Sequence, residues 1–156
     1  MKQAILELVV ELLRETFEGA LPGQGTQYLD HDSGIQATLS KLTAQEASRQ
    51  FEGHPSIASH VRHMNFHLRV TAEWIQGDHS RRDWAASFDP QTVTDAEWAR
   101  LRKDLEDTRA DLVRVLEGLT PERFLEEGAG LGSVAHLAYH LGAIRQLMHR
   151  AKGGGA

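Results

Sequence analysis

His136 and His140 stand one helical turn apart in SVAHLAYHLGAIRQ, residues 133 to 146, a stretch that otherwise reads as an apolar helix. Side chains at i and i+4 leave a helix on the same face, so two imidazoles at this spacing can reach one metal ion. Three more histidines, His60, His63 and His67, lie in HPSIASHVRHMNFHLRV, and a third imidazole from that segment would complete a three-histidine set. Three neutral nitrogen ligands leave coordination positions open for water or substrate, the pattern of catalytic zinc. Water bound there ionises near neutral pH and becomes a nucleophile or base. The competing reading is a polar seam, in which the same rings hydrogen-bond one another or cap carbonyls, because every buried imidazole needs a partner.

The elements that must position these rings are helical. Residues 2 to 18 carry Ile5, Val9, Leu12, Leu13 and Phe17 at helical spacing. GALPGQG, residues 19 to 25, breaks that helix, and a short helix follows near 33 to 41 before a polar connection. The second long helix opens at Ser56 and stops at Gly77, with Ile57, Val61, Met64, Leu68, Ala72 and Ile75 as its core face. Its three histidines share an arc with Val70 and Trp74, between the core face and the wet face of Arg62, Arg69 and Glu73. Residues 78 to 93 read as a loop with two aromatics. Thr94 and Glu97 form a capping box for the third long helix, whose seam is Trp98, Leu101, Leu105, Thr108, Leu112, Val115 and Leu119. Gly118 and Pro121 mark its end. The last helix opens near Ser133 and runs to about Ala151, with Val134, Leu137, Leu141, Ile144, Leu147 and Met148 on its apolar arc. No segment alternates as a strand would. The expectation is an all-α fold, a four-helix bundle with one additional short helix after the first.

The 156 residues suit a single domain, read as residues 1–152, with 153–156 as a flexible tail. The net charge of −5 argues against a nucleic-acid or anionic-membrane partner, which would call for a basic face. No cysteine is present, so disulfides, thiolate ligands and cysteine nucleophiles are excluded, and a cytoplasmic location is expected. Glu7, Glu11 and Arg14 interrupt the first apolar run, which therefore reads neither as a leader nor as a membrane span.

SVAHLAYHLGAIRQ resembles the last-helix motif H-x-x-x-H-x-G-Q of the DinB/YfiT-like family, and PSIASHVRHMNFH is similar to that family's S-I-x-x-H-x-x-H segment. The layout of the whole chain is similar as well. The resemblance implies a metal-dependent four-helix bundle with its metal triad on His63, His136 and His140. His60 and His67, each about one turn from His63, are alternatives to it or outer partners. Gly142 matches the family's glycine and is expected to let a neighbouring helix come close. The family's glutamine is displaced, with Ala143 after Gly142 and Gln146 further on. The implied cofactor is a divalent metal ion, zinc or nickel first, iron or manganese next. The implied activity is that of a thiol-dependent S-transferase or a hydrolase, with a small-molecule substrate, a low-molecular-weight thiol as partner, and a role in stress or detoxification. A non-catalytic, metal- or ligand-binding bundle is the alternative, and a homodimer is expected in either case.

Other residues receive blander expectations. Glu73 reads as a solvated charge. YLDHDSG, residues 28 to 34, is expected to cap the short helix rather than line the site. Tyr139 is expected to pack between helices, and Trp74, Trp84 and Trp98 to pack in the core or loops. His31, His54, His79 and His149 read as surface or loop histidines.

Overall fold

The computed structural model describes residues 1–153. Residues 154–156, most of the expected tail, lie outside the described residues. Among the described residues seven α-helices run in the order α1 (Lys2–Glu18), α2 (Ile35–Ser40), α3 (Ala44–Ala47), α4 (Ile57–Ile75), α5 (Asp95–Glu117), α6 (Pro121–Glu127) and α7 (Ala129–Ala151). A single 3-10 turn, Ala86–Phe88, lies between α4 and α5. Among the described residues the only strand-like pairing is an isolated bridge between Phe51 and His54. The fold is all-α, and its four long helices form the bundle. No described helix is long and apolar enough to cross a membrane.

α4 is the central element: it packs against α5 on one side and α7 on the other, while α1 packs on α7, α6 and α5. All six residues expected on its core face are buried, with Val61, Met64 and Leu68 fully so. They meet Leu13 and Phe17 of α1, Leu105, Leu112 and Leu116 of α5, and Leu137 and Ile144 of α7. Each such side chain contributes about 1.5–3 kcal/mol by leaving water.

Several boundaries and faces differ from expectation. On α1 the buried stripe runs Leu6, Val9, Leu13 and Phe17, and Ile5 is exposed. On α5 Leu116 is buried in place of Val115, because a straight helix turns about 100° per residue and outruns a strict seven-residue repeat. The polar connection contains α3, started by a capping box between Thr43 and Glu46. Pro121 opens α6 instead of merely closing α5, with the Thr120 side chain accepting from the Arg123 N–H. Gly128, at φ +60, ends α6 and caps α7, which begins at Ala129, four residues before the expected Ser133.

No side chain of YLDHDSG caps α2, although the segment's last residue stands at the N-cap. The N-cap of α2 is Gly34, without a side-chain cap. The segment turns back onto α1 instead, where the Glu15 carboxylate accepts the N–H groups of Gln27, Tyr28 and Leu29, each at 2.7 Å. Tyr28 also hydrogen-bonds Thr16, and His31 Nδ1 bonds the Ala20 carbonyl. Gly34 is required here, since a Cβ would fall 2.6 Å from the Phe17 carbonyl oxygen.

Candidate metal centre

The site is assembled where α4 faces α7, and a loop holds it closed. Ser56 caps α4: its Oγ accepts from the Ser59 N–H at 3.1 Å and donates to the Gln91 carbonyl at 2.5 Å. Ser59 Oγ donates to the Phe88 carbonyl at 2.7 Å. Arg62 Nε donates to the Pro90 carbonyl at 2.9 Å. These bonds lay the 86–91 segment across the first turns of α4 and bring Ser87 and Phe88 to the histidines.

His63 from α4 and His136 and His140 from α7 converge through their Nε2 atoms. The His63–His136 separation is 3.1 Å and the His140–His136 separation is 3.2 Å. One ligand atom from each of the three lies within 4.8 Å of the others. Nitrogens held at 2.0–2.1 Å by a tetrahedral ion stand about 3.3 Å apart. The donor set therefore fits a metal, with three imidazole nitrogens and no carboxylate among them.

The other ring nitrogens decide where the lone pairs point. Ser87 Oγ donates to the Trp84 carbonyl at 2.5 Å, so toward His63 it acts as an acceptor, and the 2.6 Å contact places the proton on His63 Nδ1. The Nε2 lone pair of His63 then faces the other two rings. His140 Nδ1 and His60 Nδ1 are 2.8 Å apart and share one proton. With that proton on His140, its Nε2 lone pair is free too, and His60 serves as its outer acceptor. Such outer partners fix the tautomer and orientation of metal-binding imidazoles. The buried Nδ1 of His136 has no partner.

Burial, and then the neighbouring imidazoles, push the pKa values down: His60 and His136 to about 4, His140 to about 3. His67 falls to about 3 for the same reasons, and burial lowers His63. At neutral pH the rings are uncharged, the form in which imidazole binds metals.

Aromatic faces surround the triad. Phe88 stacks on His63 with centroids 4.0 Å apart, and His67 stacks on His136 at 3.8 Å. Trp84 stands edge-on to His63 at 6.1 Å. His67 Nε2 bonds Ser133 Oγ at 3.2 Å. Thus His63 sits with the α7 pair, while His60 and His67 hold outer positions. Ser87 was missed by sequence reasoning, and Phe88 was noted only as one of the two aromatics of the 78–93 loop.

Other expected residues fall elsewhere. Tyr139 does not pack between helices; it is 72% exposed, with its ring edge-on to His140. Trp98 is buried and donates to the Leu42 carbonyl, whereas Trp74 and Trp84 are exposed. Glu73 pairs with Arg82 and Arg69 on the surface. His31, His54, His79 and His149 lie outside the buried core. Gly142 admits no neighbouring helix: it is exposed, and a Cβ there would meet nothing within 4 Å. The close approach occurs at Gly130, where a Cβ would come within 2.8 Å of the Phe124 ring and 3.1 Å of Val9.

The family model of the DinB superfamily matches residues 27–144, which include every histidine of the cluster. The chain belongs to the DinB superfamily. No curated protein and no solved structure matches the chain significantly. DinB-like membership and the histidine cluster agree in kind, since the family is metal-binding and three histidines here could bind an ion.

Proposed function

We propose that this DinB-like chain is a metal-dependent enzyme whose ion, zinc or nickel, is held by the Nε2 atoms of His63, His136 and His140. The observation that carries the reading is the convergence of three Nε2 atoms at 3.1 and 3.2 Å, with the tautomer of His63 set by Ser87. The Nε2 lone pairs of His63 and His140 both face His136 Nε2, a point that either a cation or the His136 ring proton fills, and the 3.1 and 3.2 Å separations match the spacing of nitrogens around an ion.

When bound, an ion with three neutral nitrogen ligands supplies Lewis acidity at open positions and lowers the pKa of a thiol or water placed there. The chain's own residues do the rest. Ser87 and His60 hold the protons on the outer nitrogens of His63 and His140. His67 and Phe88 clamp the rings of His136 and His63 by stacking. Phe88 and Trp84 cover the site and reduce the access of bulk water. The chain has no cysteine, so a reacting thiol comes from a cosubstrate. The reaction class is transfer of a low-molecular-weight thiol to a small electrophile.

The test is thiol consumption in the presence of a small chromogenic electrophile, with protein loaded with zinc or nickel. Turnover should be lost in His63→Ala and His140→Ala and restored in neither by added metal. Turnover that persists undiminished in both variants would contradict the proposal.

A further inference from the structure

A cavity of about 470 Å³ opens beside the histidines, within the range of small-molecule sites. His60 and His140 line one end, Phe88 and Leu147 contribute apolar wall, and His54 and Arg150 line it as well. Among the described residues no carboxylate lines it. A slightly larger cavity, about 530 Å³, lies between α2 and α5, but no histidine reaches it.

Arg150 lies on the same helix as His140, ten residues on, which is about 15 Å of helix rise. Side chains lean toward the N-terminus of their helix, so the Arg150 stem leans back toward His140. Its guanidinium is 4.4 Å from the centroid of the Phe51 ring, which fixes its position. Arg49 flanks the same ring at 5.8 Å, but is engaged in donating to the Ala151 carbonyl at 2.6 Å. Among the described residues no carboxylate pairs with Arg150. A planar fork of N–H donors, held by an aromatic ring and left without an anion, matches a carboxylate in shape and charge.

We infer that this cavity takes a small acid with an apolar body, its carboxylate held by Arg150 and its other end reaching the histidine triad. The inference rests on the metal reading above and adds the substrate class. Arg150 acts on specificity, and the walls between accept an alkyl or aromatic body.

The test compares two hydroxamic acids with the same short aliphatic chain, one ending in a carboxylate and one in a carboxamide. Both present the same metal-binding head, so the contrast reads only the far end. Calorimetric titration of the zinc-loaded chain should show the carboxylate-tailed probe binding about tenfold more tightly at low salt. In Arg150→Gln that preference should vanish, with the carboxamide-tailed affinity and zinc content unchanged. Equal binding of both probes by the parent, or a preference that survives in Arg150→Gln, overturns the assignment and leaves the metal reading standing. Failure of both probes on a chain that retains its zinc also overturns it, because the cavity would not lead to the ion. Failure of both with zinc lost on dialysis overturns the metal reading and this inference together.

Discussion

Two buried polar clusters sit in this bundle, and they are built on opposite principles. At Glu15 a single carboxylate, 1% exposed, meets three backbone N–H groups at 2.7 Å, so every strong acceptor faces a donor. At the histidines, three Nε2 atoms face one another and the His136 Nδ1 atom has no partner. The first cluster is complete without any other molecule and acts as a structural lock between α1 and the 27–29 segment. The second leaves one imidazole nitrogen unpaired and turns the Nε2 atoms of three rings toward one point, an arrangement that suits a cation. Burial alone does not separate them; the balance of donors and acceptors does.

Breaking the lock should produce the largest change in stability. Glu15→Ala leaves three backbone donors with no acceptor and should cost about 3 kcal/mol or more. At roughly 2–4 °C per kcal/mol for a chain of this size, thermal melting should fall by about 10 °C, with zinc uptake retained. The lock also predicts the acid limb. Burial by itself would raise the pKa of Glu15, but the three backbone donors outweigh it and hold the carboxyl below its ordinary value. A group depressed in the folded state stabilises fully above its unfolded pKa and loses that contribution as pH falls through the folded value. Melting followed from about pH 6 to about pH 3 should therefore fall more steeply in the parent than in Glu15→Gln. Parallel curves would remove Glu15 from the account.

The histidine cluster should respond in binding rather than in stability. Ser87→Ala removes the acceptor of the His63 Nδ1 proton and should weaken zinc binding by about 10–100-fold. Its metal-free melting should change by far less than that of Glu15→Ala. An unchanged zinc affinity would mean that Ser87 does not orient His63.

The smallest effect has the opposite sign. Gly142 lies in α7, exposed, with open space around its missing side chain. Gly142→Ala should stabilise by about 0.5–1 kcal/mol, seen as a small rise in melting temperature. A loss of stability or of metal would show that the glycine is needed after all.

The two clusters were not equally legible in the sequence. His136 and His140 announce themselves by their four-residue spacing on an otherwise apolar helix, and α4 by its six core residues between Ser56 and Gly77. The lock could not be read. Glu15 has the sequence signature of any surface glutamate on an amphipathic helix, and its partners are backbone N–H groups, which carry no residue identity. Ser87 is hidden for a related reason, since its role depends on how the 86–91 segment folds over α4. The small helices were hidden by punctuation. Pro121 reads as a stop and as a start with equal right, and the glycines at 128, 130 and 132 look like a loop although α7 runs through the last two. Gly142 shows the reverse error: a helical glycine suggests close packing, but the packing lies at Gly130 instead.

The histidine cluster, on the reading proposed above, is a metal site. The most direct test of that reading is elemental mass spectrometry of untagged protein and of His136→Ala, each incubated with zinc or nickel and then dialysed. The parent should hold about one ion per chain and the variant almost none, with both folded. A folded parent that retains no ion, or a variant that retains as much as the parent, would contradict it and leave the histidines as a polar seam.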